Sequence, residues 1–131
     1  MYAEYVDPSS GDTVEQQVTS LDEIEDLIRT IRKLDGGRGH PALGLAADSE
    51  SSLTIGIQGD RAVLMWCDPL GSTFHSVNAT PRGEMLVFDF QGSYTEVPDE
   101  FAISVPEALQ AAERYLSNGS PESTDLILEP D

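Results

Sequence analysis

The stretch Leu53-Thr54-Ile55-Gly56-Ile57-Gln58-Gly59-Asp60-Arg61-Ala62-Val63-Leu64-Met65-Trp66-Cys67 decides the fold. Leu53 to Ile57 alternates apolar and small residues. Gly59-Asp60 is a tight-turn signal, and Arg61 to Cys67 is almost wholly apolar. Two apolar runs separated by such a dipeptide form a β-hairpin. The second run reads as a central strand covered on both faces or nearly so.

The flanking sequence continues the pattern. Leu43 to Ala47 reads as a strand, with a polar turn from Asp48 to Ser52. Asp68-Pro69-Leu70-Gly71-Ser72 is a turn, and Thr73 to Val77 returns as a short strand. After a loop from Asn78 to Gly83, Met85 to Gln91 alternates cleanly. Leu86, Phe88 and Phe90 fall on one face; Met85, Val87, Asp89 and Gln91 fall on the other. Thr13 to Val18 is a further short strand, and Leu126-Ile127-Leu128 closes the chain as another. These runs predict an antiparallel meander of adjacent hairpins.

Two helices bracket the strands. Ser20-Leu21-Asp22-Glu23 has the form of a capping box, and Leu21, Ile24, Leu27, Ile28, Ile31 and Leu34 recur at helical spacing. Acids crowd its first turns and Arg29, Arg32 and Lys33 its last, as the helix dipole favours. Asp35-Gly36-Gly37 is the expected stop. Ser104-Val105-Pro106-Glu107 opens a second helix with an apolar stripe of Ala108, Leu109, Ala112, Tyr115 and Leu116. Asn118-Gly119 supplies a left-handed end. The expected fold class is α+β, an antiparallel sheet with both helices packed on one face. The expected organisation is a single domain over residues 1–131.

Charge narrows the function. Twenty-four Asp and Glu face seven Lys and Arg, a formal net charge of −17 on 131 residues, and Lys33 is the one lysine. Such a chain repels nucleic acid and anionic membrane and draws basic surfaces toward it. Met1 to Ser10 carries acids and no long apolar run, so it does not read as a signal peptide. The lone Cys67 has no internal disulfide partner. The expected location is a reducing cytoplasm.

Catalytic patterns are weak. His40, His75 and Cys67 lie far apart and have no metal-ligand spacing, so no metal or cofactor is expected. Gly36-Gly37-Arg38-Gly39 lacks the phosphate-loop form and reads as a loop after a helix. Carboxylates are so plentiful that chance pairs carry little weight as an acid/base signature. The chain is therefore read as a binding protein and not an enzyme. Trp66, Phe74 and Tyr94, in or beside the sheet, lie near Asp68, Asp89, Gln91, Glu96, Asp99 and Glu100, a layout suited to a basic partner. Trp66 and Phe74 serve equally well as core, and Tyr94 is placed at a turn.

The C-terminal half resembles a known family. Val87-Phe88-Asp89-Phe90-Gln91-Gly92-Ser93-Tyr94-Thr95-Glu96-Val97-Pro98 is similar to the aromatic strand, glycine turn and T-E-x-P segment of immunity protein family one (Imm one) of bacterial polymorphic toxin systems. Ile103 to Pro121 is similar to its closing helix, Val18 to Ile24 to the start of its first helix, and Leu53 to Cys67 to its hairpin. The family's last strand usually carries a tryptophan, which Leu126-Ile127-Leu128 lacks. The resemblance implies an antidote encoded beside a secreted toxin. It would bind that toxin's basic C-terminal domain, commonly a nucleic-acid cytidine deaminase, as a 1:1 heterodimer. It implies neither a nucleic-acid nor a membrane partner. The alternative is a secretion chaperone or adaptor that holds a non-catalytic segment of an effector.

Overall fold

The apolar run Arg61–Cys67 is a central strand in a computed structural model that describes residues 1–34, 40–47, 50–78, 82–90 and 93–131. The elements in chain order are β1 (Tyr2–Val6), β2 (Thr13–Gln17), α1 (Leu21–Arg32), β3 (His40–Ala46), β4 (Ser52–Gln58) and β5 (Arg61–Cys67). They continue with β6 (Thr73–Ser76), β7 (Met85–Phe90), β8 (Ser93–Pro98), β9 (Ala102–Ser104), α2 (Val105–Asn118) and β10 (Leu128–Pro130). The main sheet runs β10-β6-β5-β4-β3-β1-β2, with every pair antiparallel. The class is α+β, as the patterning requires.

Both faces of β5 are covered, which explains its lack of alternation. Ala62, Leu64 and Trp66 join Ile24 and Ile28 of α1 and Ala108 and Ala112 of α2 in the larger core. The small residues of α2 let its backbone approach the sheet closely. Val63, on the opposite face, packs with Leu86, Phe88, Val97 and Ala102 beneath the β7–β8 hairpin. That hairpin meets β3 through a short parallel pairing, His40 with Phe88 and Pro41 with Asp89. Phe88 lies flat against Gly56, where an added Cβ would fall 2.8 Å from the ring. A glycine in the middle of β4 is therefore a seat for the hairpin.

Two strands share one edge of β5. β6 pairs with Met65 to Cys67 and β9 with Arg61 to Val63, leaving Leu64 at the junction. The buried Ser76 closes this gap: its Oγ accepts from the Leu64 N–H at 3.0 Å and donates to the Phe101 carbonyl at 2.6 Å. A buried amide is thereby satisfied where the ladder breaks.

Local readings were mostly met, with several differences. The second helix has the full reciprocal cap, Ser104 with Glu107, and ends on Gly119 at φ +76°. At the first helix Ser20 accepts from the Glu23 N–H, but Glu23 reaches one residue further back, to the N–H and hydroxyl of Thr19. Segment Tyr2–Val6 is a strand that the sequence did not announce. Tyr94 sits inside β8, paired with Asp89, and not at a turn. The closing strand begins at Leu128, two residues later than expected, while Leu126 is buried and bridges Ser123. The expected helix stop at Asp35-Gly36-Gly37 and the Gly36-Gly37-Arg38-Gly39 loop lie outside the described residues.

Candidate partner-binding face

Two surfaces meet on the side of the sheet away from the helices. The first is the outer face of the β7–β8 hairpin. Strand alternation turns Leu86, Phe88 and Phe90 toward the sheet and Met85, Val87 and Asp89 away from it. Pairing then sets Tyr94 opposite Asp89, Glu96 opposite Val87 and Pro98 opposite Met85. Asp89, Tyr94 and Glu96 thus share one face. Tyr94 is 56% exposed, and its hydroxyl donates to Glu96 Oε1 at 3.3 Å. Met85, also exposed, adds an apolar contact beside them.

The second surface is an open trough of about 720 Å³ beyond the point where the hairpin stops covering the sheet. Gly44, Ala46, Thr54 and Met65 form its floor, and Tyr2 and Phe90 stand at its sides. Glu4, Glu15 and Asp131 also line it, and no Lys or Arg does among the described residues. Asp131 Oδ1 lies 2.6 Å from Nδ1 of His75, whose ring stacks on Phe101 at 3.8 Å between centroids. The direction of β7, parallel to β3, brings Phe90 at its end to the trough.

The base of the hairpin is pinned by one carboxylate. Asp99 is buried, with its oxygens 2.8 Å from the Arg82 N–H and 3.2 Å from the Gly83 N–H. Arg61 bridges to Glu84 at 2.9 Å and approaches Asp99 at 3.9 Å. Burial pushes Asp99 upward, but the N–H donors of Arg82, Glu84 and Gly83 and the Arg61 charge outweigh it. The group is held below the ordinary carboxylate value.

The remaining expected contact residues lie off the hairpin face, and Trp66 and Phe74 are among the residues that line the trough. Trp66 is only 6% exposed and stacks on the half-buried Phe74, with centroids 5.2 Å apart, on the helix side of the sheet. Asp68 Oδ1 accepts from the N–H groups of Leu70 and Ser72, at 3.0 and 2.8 Å, and shapes the β5–β6 turn. Gln91 lies outside the described residues. The six described residues are divided between the hairpin face, the trough and the β5–β6 turn. Tyr2, Glu4, Glu15, Met85 and Asp131, which sequence reasoning did not single out, complete the exposed side. The available signal was the alternation of Tyr2-Ala3-Glu4, too short to stand out.

Among the described residues, no three or more His, Cys, Asp or Glu are grouped to hold a metal ion. No described helix is long and apolar enough to cross a membrane.

Residues 12–124 match the family model of Immunity protein Imm1. The chain belongs to this family, as the resemblance of its motifs indicated. It is an immunity protein, whose partner is a cognate toxin. No curated protein matches the chain in sequence.

Proposed function

We propose that this chain is the antidote to a nucleic-acid cytidine deaminase toxin domain, which it silences by covering the active site in a one-to-one complex in the cytoplasm of the producing cell. The observation that carries this reading is membership of the Imm1 family. The charge supports it independently. A deaminase of this class must hold an anionic strand in a cationic groove and take one base into a zinc pocket. A chain of net charge −17 competes for that groove with the same electrostatics that attract the substrate. Neither nucleic acid nor membrane is a partner in this reading.

Asp89, Tyr94 and Glu96 make the contact on the hairpin, with Gln91 next to them in the chain. Trp66 and Phe74 support the surface from within, and Asp68 holds the neighbouring turn in shape. The test is protection in cells. The toxin domain encoded beside this chain is expressed with and without it. Survival and an unmutated genome only when the chain is present support the reading. Cells that tolerate the toxin domain alone overturn it.

A further inference from the structure

The trough contains an arrangement that folding alone disfavours. Glu4 and Glu15 stand directly opposite each other in the β1–β2 pairing, both on the trough side. Like charges so placed destabilise an antiparallel pair. Among the described residues no Lys or Arg forms an ion pair with either. Glu4 is half-buried, so water screens it only in part. Gly44 and Ala46 lie next to them on the floor and are small enough for another chain to come close. Tyr2, 59% exposed, and Met65 offer apolar surface beside the charges.

A long side chain with an aliphatic stem and a cationic head matches this combination, because the stem covers apolar surface while the head meets carboxylates. We propose that the trough is the anchor site for the cognate toxin. It receives a lysine- or arginine-bearing segment of that partner, with the cation held by Glu4 and Glu15 and the stem over Ala46 and Met65. The inference rests on the toxin-binding reading above and gives that partner a defined chemistry at a defined place. A second copy of this chain is disfavoured as occupant by its own charge of −17. Tyr2, Glu4 and Asp131 lie outside the residues matched by the family model, so the trough is built partly by sequence beyond the family's shared stretch.

The experiment measures binding of the purified chain to its cognate toxin domain for the wild type, for E4Q/E15Q, for Ala46→Trp and for D89N/E96Q. Neutralising Glu4 and Glu15 removes their repulsion, so the melting temperature should hold or rise. The same change should weaken the complex about tenfold or more and flatten its salt dependence. Ala46→Trp, at an exposed position, fills the trough and should weaken the complex without unfolding the chain. If E4Q/E15Q and Ala46→Trp bind like the wild type while D89N/E96Q binds poorly, the trough is not the anchor and the toxin-binding reading stands. If the wild-type pair does not associate, both readings fall. A gain of self-association in E4Q/E15Q with unchanged toxin affinity would assign the trough to a second copy and overturn the proposal.

Discussion

Replacing Gly56 with alanine tests the joint on which the hairpin sits. The new Cβ would lie 2.8 Å from Phe88 Cδ1 and 2.9 Å from Cε1, well inside van der Waals contact. Phe88 is fully buried among Val63, Leu86 and Val97, so its ring has little room to retreat. Overpacking of this kind costs about 1–3 kcal/mol. Alanine also restricts the unfolded chain, which returns about 0.4–1 kcal/mol at a position, like this one, without left-handed backbone. The net expectation is a loss of about 1–2 kcal/mol, or roughly 4–7 °C in melting temperature for a domain of this size. The strain falls on the hairpin, so affinity for the toxin should drop as Asp89, Tyr94 and Glu96 are displaced. Thermal unfolding followed by circular dichroism gives the first number and calorimetric titration the second. Phe88→Leu on the Gly56→Ala background should recover part of the stability, a coupling that a double-mutant cycle isolates. A Gly56→Ala chain as stable as the parent, or more so, would show that Phe88 does not rest on Gly56, and the seat described for the hairpin on β4 would fail.

Other consequences are equally direct. Ser76→Ala removes both the acceptor of the Leu64 N–H and the donor to Phe101, so denaturant unfolding should show a loss of about 1–3 kcal/mol; no loss would mean that the strand junction is satisfied in another way. Asp99 is held below 3.8 when folded and returns to about that value when unfolded, so its contribution is complete above 3.8 and disappears as pH falls through the lower folded value. Asp99→Asn should therefore flatten the acid limb of the stability profile, and an unchanged acid limb would remove Asp99 from the hairpin's anchorage. Association with the toxin should slow as salt rises, because the attraction of a −17 chain for a basic domain is screened beyond a Debye length of about 10 Å at 0.1 M. A salt-independent on-rate measured by stopped flow would argue against electrostatic capture.

The sequence made the core legible and left the exposed side hidden. Arg61–Cys67 announced a strand buried on both sides, and the structure supplies a cover for each. The two capped helices were equally plain, because caps and apolar spacing are local signals. β1 was not, since Tyr2–Val6 mixes acid and aromatic residues and gains its meaning only by pairing with β2 and β3. Ser93–Pro98 was masked by the glycine before it and the proline at its end, both of which speak for turns. Trp66 could be read as anchor or core, and only its register with Phe74, on the helix face, decides its burial. The trough draws on strands from β1 to β7, so no contiguous stretch could reveal it. Glu4 and Glu15 are unremarkable acids until the pairing sets them face to face.

The central claim is that a folded, negatively charged antidote occupies the site its toxin uses for nucleic acid. Titrating the purified chain into the active toxin domain, with cytidine deamination as the readout, tests this most directly. Activity should fall in proportion and vanish at equimolar chain. A toxin that is fully bound yet still deaminates at its full rate would contradict the account and favour a carrier that holds a non-catalytic segment.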